Sequence, residues 1–185
     1  MNKYLLLIPL LMFFSCHNSS VIKNQKNSPY TIRNDSVFFL NEFIPNVDLK
    51  SFEIIDSNYS RDANNIYGGE EIFAGVDVST FKVLTDGYSK DCNCIYYLYN
   101  SKNKFCYADT RTFQIIDFGV CKDFRYVYVF NDQLQMTILK DADSKTFIKC
   151  GEFYYCDKNY LFAVSGEIMA RKDTFDVEGF LRIVK

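Results

Sequence analysis

The chain has few of the residues that most often carry catalysis at neutral pH. It has one histidine, His17, close to its amino end, and no tryptophan. Histidine is the usual general base and metal ligand near neutral pH. The chain after His17 therefore has no Ser-His-Asp or Cys-His site and no zinc site that uses histidine. We expect no catalytic residue, no metal and no cofactor, and a protein that is not an enzyme.

Positive charge is also scarce. The 21 Lys and Arg residues are outnumbered by 23 Asp and Glu residues, which gives a formal net charge of -2. A nucleic-acid-binding surface requires clustered Lys and Arg, so nucleic acid is not an expected partner. Proline and glycine are few, whereas 14 Tyr and 18 Phe are present. Aromatic residues fit a pleated, half-buried surface better than a helix, which favours a β-protein.

A fixed frame of aspartate and aromatic positions recurs through the chain. An aspartate is followed after four residues by phenylalanine and after 14 residues by a second aspartate. The four copies are Asp48, Phe52, Tyr59, Asp62 and Tyr67; Asp77, Phe81, Tyr88, Asp91 and Tyr96; Asp109, Phe113, Val120, Asp123 and Tyr128; and Asp143, Phe147, Tyr154, Asp157 and Phe162. Identical spacing predicts a repeat protein, in which one unit stacks on copies of itself.

Within each copy, short apolar runs alternate with turn residues. In Ile95 to Tyr99 the alternation has the period of a strand. The second aspartate of each copy predicts a turn, because its carboxylate can accept hydrogen bonds from backbone amides two residues on. These turn residues are Asp62, Asp91, Asp123 and Asp157. The first aspartate belongs to an Asp-x-x-Ser/Thr-Phe corner, in which carboxylate and hydroxyl cap amides while the phenylalanine enters the core.

We expect an all-β fold of about five tandem β-meander repeats of about 30 residues each. The fifth unit would combine a half copy at the start of the domain with the complementary half copy at its end. Tyr30 and Phe38 have the spacing of a unit's later aromatics, whereas Thr174 and Phe175 have that of its corner. Such a split suits a small closed propeller-like array, since closure removes exposed sheet edges. An open curved stack is the alternative, because about 30 residues are few for a four-stranded blade.

The amino-terminal segment predicts export. Residues 4–14 are apolar apart from Pro9, which is too short for a membrane-spanning helix but suits the core of a signal peptide. Ser15 then precedes Cys16, and the segment resembles the signal and lipobox of bacterial lipoproteins. The resemblance implies removal of residues 1–15 and lipidation of Cys16. Because two or more acyl chains give stable attachment, the expected location is the bacterial cell envelope, anchored by lipid to the outer membrane.

The rest of the chain divides into a tether and one domain. Residues 16–29 are mostly polar and cannot bury enough apolar area to offset the entropy of ordering them, so we expect a flexible tether. Residues 30–185 have the length of a single domain. Their stretch Tyr154-Tyr-Cys-Asp-Lys-Asn-Tyr-Leu-Phe162 resembles the signature of the DKNYY family of bacterial exported repeat proteins. This resemblance implies an exported repeat module, and no catalytic residue is carried over with it.

Six cysteines lie in the expected domain, and an even number in an exported chain suggests disulfides. Cys150 and Cys156 can face each other across a turn, and Cys94 and Cys106 lie on neighbouring predicted strands. A metal site at Cys92 and Cys94 is the alternative, but it lacks a second matching cysteine pair.

Several functions stay open at this level. Outward-facing aromatics, for which Tyr97, Tyr99, Tyr126 and Tyr128 are candidates, predict a binding surface for an envelope protein or glycan. The turn aspartates could instead hold calcium, although no acidic glycine-bearing loop accompanies them. A carboxylate-dependent hydrolase acting on envelope glycan would need two non-equivalent acids in one cleft. We favour a lipid-anchored, non-catalytic binding or scaffolding module, with a hydrolase or carbohydrate-binding protein as the alternative.

Overall fold

The computed structural model describes residues 28–173 and 176–183. Cys16, the expected signal peptide and most of the expected tether lie outside these residues. Five antiparallel sheets follow one another along the described chain, the first with three strands and the others with four. The prediction of an all-β repeat fold is therefore confirmed.

Each sheet is a meander, because every strand pairs with the one next to it in sequence. Sheet 1 contains β1 (Tyr30–Arg33), β2 (Ser36–Phe39) and β3 (Glu42–Ile44). Sheet 2 contains β4 (Glu53–Ile54), β5 (Tyr59–Arg61), β6 (Ile66–Gly68) and β7 (Glu71–Ile72). Sheet 3 contains β8 (Lys82–Val83), β9 (Ser89–Lys90), β10 (Ile95–Tyr97) and β11 (Asn100–Phe105). Sheet 4 contains β12 (Gln114–Asp117), β13 (Val120–Lys122), β14 (Val127–Phe130) and β15 (Met136–Ile138). Sheet 5 contains β16 (Ile148–Lys149), β17 (Tyr154–Cys156), β18 (Tyr160–Ala163) and β19 (Ile168–Arg171).

The hydrophobic core lies between successive sheets. Between sheets 2 and 3, for example, Tyr59 packs edge-on against Phe81, with ring centroids 5.3 Å apart, and Phe73 packs against Tyr96 at the same centroid distance. These side chains are buried in one cluster. Fully burying a large apolar side chain contributes about 1.5 to 3 kcal/mol. Each short sheet is thus stabilised by its neighbours rather than by a core of its own.

The two ends of the array differ from the expected fifth unit. Sheet 1 is built from residues 30–44 alone, and the closing segment forms a helix, α1 (Val177–Ile183). Val177 and Phe180 pack on the far face of sheet 5, and Phe180 lies 5.3 Å from the ring of Tyr154. The carboxylate of Asp176 caps α1 by accepting a hydrogen bond from the amide of Gly179.

The described residues therefore form an open stack of sheets, which is the second of the two predicted architectures. The helix covers the face of sheet 5 that sheet 1 would cover in a closed array. Val177 and Phe180, which pack on sheet 5, are three positions apart, a spacing that suits one helical face rather than a strand. The predicted corner at Thr174 and Phe175 lies outside the described residues. Among those described, no helix has the length and apolarity needed to cross a membrane.

Candidate functional site

The predicted turn aspartates lie between the second and third strands of sheets 2 to 5, and all four are buried. In sheet 4, Oδ1 of Asp123 accepts hydrogen bonds from the amides of Arg125 and Tyr126, at 2.7 and 2.8 Å. Its Oδ2 accepts from the amide of Asp109 and from the hydroxyl of Tyr128, both at 2.7 Å. One carboxylate thus joins the turn, the corner before the sheet and the third strand.

The same arrangement recurs with small variations. Asp62 and Asp91 receive the equivalent two turn amides, one corner amide and one tyrosine hydroxyl. Asp157 receives the three amides, and its unit has Phe162 at the tyrosine position. Because every carboxylate accepts the same three amide hydrogen bonds, these residues stabilise the repeat rather than form a catalytic pair of unlike acids.

The Asp-x-x-Ser/Thr-Phe corner completes this connection in the way the sequence predicts. In the last unit, Oδ1 of Asp143 accepts from the amide of Thr146 at 3.1 Å. The Thr146 hydroxyl then accepts from the amide of Lys158 in the turn, also at 3.1 Å. The adjacent Phe147 is buried and stacks on Tyr155. The equivalent bond joins corner and turn at the strand ends of sheets 2 to 5.

The charge state of the turn carboxylates also follows from these bonds. Burial alone would raise the pKa of Asp123, but the hydrogen bonds from Asp109, Tyr128 and the turn amides outweigh it, so that the pKa lies below its usual value. The pKa values of Asp62 and Asp91 are lowered in the same way, with burial again opposing the shift. A general acid needs a raised pKa, so these three groups do not fit that role. Within the described residues, no three His, Cys, Asp or Glu side chains are grouped as metal ligands.

The predicted aromatic surface is only partly exposed. Tyr97 and Tyr128 are buried in the core between sheets 3 and 4, so their assignment to a binding surface is wrong. Tyr97 lies on the face of β10 that packs on sheet 4, and Tyr96 lies on the face that packs on sheet 2. Both rings are buried because sheet 3 is covered on both faces. Tyr99 is exposed in the following turn, and Tyr126 is exposed beside Asp123.

Of the two predicted disulfides, the structure contains one. Cys94 and Cys106 are joined by a disulfide, which ties the second turn to the end of β11. Cys150 and Cys156, the other predicted pair, are free thiols. They belong to one cluster. However, the backbone amide of Cys150 donates a hydrogen bond to the carbonyl oxygen of Tyr154 across the hairpin, and Cys156 lies opposite Ile148. The two cysteines are therefore diagonal neighbours, for which Cα atoms are typically about 7 to 8 Å apart, beyond the usual disulfide span.

Three open clefts lie beside the turns, where one unit meets the next. The first, of about 540 Å³, is lined by Glu53, Arg61, Asp62 and Asp77 among others. The second, of about 640 Å³, is lined by Tyr107, Asp109, Arg111 and Arg125 among others. The third, of about 330 Å³, is lined by Lys122, Asp123, Phe124 and Lys145 among others. The first and third clefts are equivalent, because Arg61 and Lys122 occupy the same position in their units.

Between the second and third clefts stands a ridge formed by Phe124, Arg125 and Tyr126, which we call the third-turn ridge. The Phe124 side chain is 57% exposed and that of Tyr126 is 42% exposed. The Arg125 guanidinium lies over both rings, 5.4 Å from the centroid of Phe124 and 5.6 Å from that of Tyr126. Sequence reasoning found Tyr126 but missed Phe124. The available signal was that this turn has Arg125 where the other turns have asparagine.

Taken together, serial four-stranded meanders, shared core clusters and repeated aspartate turns define an all-β tandem-repeat protein. The family model described as the DKNYY family matches residues 13–71 and 30–166. The chain belongs to the DKNYY family. No curated protein and no solved structure matches it significantly.

Proposed function

We propose that this chain is a lipid-anchored, non-catalytic binding module of the bacterial cell envelope. The observation that carries this proposal is the row of clefts at equivalent positions along the stack. Repeat stacks commonly present extended binding surfaces because each unit contributes the same edge. The turn carboxylates beside these clefts are occupied by structural hydrogen bonds, which supports binding rather than acid-base catalysis.

The anchor is proposed from the sequence. Lipidation at Cys16 would hold the chain at a membrane surface. The 14 residues from Cys16 to Pro29 would let the repeat domain reach up to about 50 Å from that surface if fully extended. A module on such a tether can contact envelope polymers that do not touch the membrane. Outer-membrane attachment is the location we propose.

The arrangement favours an extended ligand. Face-packed sheets are spaced by about 10 Å, so successive clefts present a regular series of weak sites. Several weak contacts to one polymer raise the overall affinity well above that of a single contact. An envelope glycan fits this requirement, and an extended segment of an envelope protein is the other form of ligand that would fit.

The direct test is crosslinking in cells that express the full chain, followed by purification and mass spectrometry of bound proteins and glycans. Cys16→Ser is the matched control, because it removes the proposed acylation site and leaves the described repeat residues unchanged. Recovery of one dominant glycan or protein that depends on Cys16 supports an anchored binding module. Recovery of the same background from both proteins overturns it.

A further inference from the structure

We propose that the third-turn ridge, with the clefts on either side, binds a sugar that carries a carboxylate. This inference rests on the proposed binding function and names its ligand class and its site. Phe124 and Tyr126 would pack against the sugar ring, and the guanidinium groups of Arg125 and Arg111 would bind the carboxylate.

The third turn departs from the sequence of its own repeat. The residues after the turn aspartate are Ala63-Asn64-Asn65 in the first copy, Cys92-Asn93-Cys94 in the second and Lys158-Asn159-Tyr160 in the fourth. In the third copy they are Phe124-Arg125-Tyr126. The backbone bonds to the aspartate are the same in all four turns. The turn therefore forms without the side chains of Phe124 and Arg125, whereas a tyrosine at the position of Tyr126 also occurs in the fourth copy, as Tyr160.

The aromatic rings of the third-turn ridge are exposed. Phe124 and Tyr126 leave large rings in solvent although the core next to them is well packed. Tyr107, on the opposite side of Arg125, is exposed as well. Aromatic rings have an electron-rich face that attracts groups with partial positive charge. The C–H bonds on the flat face of a pyranose ring are such groups, so the ridge offers a sugar a stacking surface.

The guanidinium groups of Arg125 and Arg111 both line the second cleft. Arg125 donates a hydrogen bond of 2.8 Å to the carbonyl oxygen of Tyr107, which holds its side chain at the mouth of the second cleft. Arg111 lines the same cleft with a side chain that is 88% exposed, and pairs at 3.3 Å with Asp109. A planar guanidinium can donate two parallel hydrogen bonds to a carboxylate. Arg125 also lies 3.8 Å from Oδ2 of Asp123, so each guanidinium has one carboxylate neighbour, and its remaining N–H donors favour an anionic ligand.

The three clefts also differ in the charged residues that line them. The lining of the first contains three carboxylates and one guanidinium. The lining of the second contains two guanidinium groups and one carboxylate, and that of the third two lysines and one carboxylate. Asp62 in the first cleft and Asp123 in the third are both buried and hydrogen-bonded, which leaves Glu53 and Asp77 as the other carboxylates of the first cleft and none in the third. An acidic sugar is therefore attracted to the clefts beside the third-turn ridge and not to the first.

Two sugar probes differ mainly in the carboxylate that the proposed site would bind. N-acetylmuramic acid carries a lactyl carboxylate on the sugar, whereas N-acetylglucosamine has the same ring without it. Binding of each to the purified full chain in detergent can be followed by saturation-transfer NMR and by titration. We expect N-acetylmuramic acid to bind at least tenfold more tightly. Equal binding of the two sugars, or no binding of either, overturns the proposal.

The repeat itself supplies matched variants. The triple substitution F124A/R125N/Y126N converts the third turn into the sequence of the first, so its fold is already present in this chain. We expect it to reduce affinity for N-acetylmuramic acid at least tenfold while the chain keeps a cooperative thermal transition, whose midpoint falls slightly because the Arg125 contacts with Tyr107 and Asp123 are lost. The reverse substitution A63F/N64R/N65Y places the ridge beside the acidic first cleft, and combined with the triple substitution it should not restore binding.

The outcomes separate this inference from the proposed function. If crosslinking recovers a Cys16-dependent glycan and the triple variant still binds N-acetylmuramic acid, the binding module stands and this site is wrong. If the three side chains instead capture a protein and bind neither sugar, the sugar ligand is overturned. If the purified chain binds N-acetylmuramic acid through the ridge but crosslinking recovers no dominant ligand, only the anchored function fails.

Discussion

The hydroxyl of Tyr128 donates a 2.7 Å hydrogen bond to Oδ2 of Asp123, and both side chains are buried. The same tyrosine-aspartate pair joins Tyr67 to Asp62 at 2.6 Å and Tyr96 to Asp91 at 2.9 Å. In each case it fastens the third strand of a sheet to the turn that precedes it. The pair is therefore a repeated structural element, and its strength can be measured in one unit.

Tyr128→Phe keeps the ring and removes this hydrogen bond. We expect it to lower the free energy of unfolding by about 1.5 to 3 kcal/mol, the usual range for a hydrogen bond to a charged group. Urea unfolding of the two proteins measures the difference. Phe162→Tyr is the reciprocal variant, because it adds the hydroxyl that the last unit lacks. A loss below about 0.5 kcal/mol for Tyr128→Phe would show that water replaces the bond.

Stability should fall in acid because of the turn aspartates. The pKa values of Asp62, Asp91 and Asp123 are lowered in the folded protein, whereas a carboxyl in the unfolded chain titrates at about 3.9. Their stabilisation is then fully present above that value and is lost as the pH falls through the folded-state pKa values. Urea unfolding between pH 7 and pH 2.5 should show little change above pH 5 and a steep loss below pH 4.

The substitution of Asp123 tests whether this residue causes the loss of stability at low pH. Asp123→Asn cannot be protonated in this range, so the pH dependence of its unfolding should be shallower than that of the parent chain. It should also be less stable at pH 7, because the amide nitrogen cannot accept the bonds that one carboxylate oxygen accepts. A pH dependence as steep as that of the parent would mean that Asp123 does not contribute.

The disulfide between Cys94 and Cys106 closes a short loop, since the two residues are 12 positions apart. The double substitution C94S/C106S should lower the free energy of unfolding by about 3 kcal/mol, mainly by freeing the unfolded chain. Cys92→Ser removes an exposed free thiol and is the control that should leave stability unchanged. Peptide mapping without reduction should recover the Cys94–Cys106 link, and its absence would contradict the prediction.

The free thiols should differ strongly in reactivity. Cys92 is exposed and should react with iodoacetamide in the native protein. Burial raises the pKa of Cys121 to about 12, and burial, with the neighbouring Cys156 thiol, raises that of Cys150 to about 12 as well. Because the thiolate is the reactive form, Cys121 and Cys150 should be labelled only after unfolding. Rapid labelling of Cys121 in the native state would show that the core opens there.

The repeat frame made the periodic parts of the fold predictable. A turn such as that at Asp123 is determined by bonds within 15 residues, so its sequence pattern suffices to locate it. The burial of Tyr97 could not be predicted in this way, because it depends on sheet 4 covering that face of sheet 3. The third-turn ridge gave only a weak signal, since a departure from the repeat at Arg125 indicates function only when the exposure of its neighbours is known.

The sequence by itself determined the repeat, the all-β class, the aspartate turns and corners, and the family. These features depend on spacing along the chain and on hydrogen bonds between near neighbours. Only the tertiary structure decided that the described array is an open stack, that α1 covers sheet 5, that Cys94 pairs with Cys106, and that the clefts beside the third-turn ridge are basic. Those outcomes depend on which faces of distant segments meet in space, and spacing along the chain does not specify that.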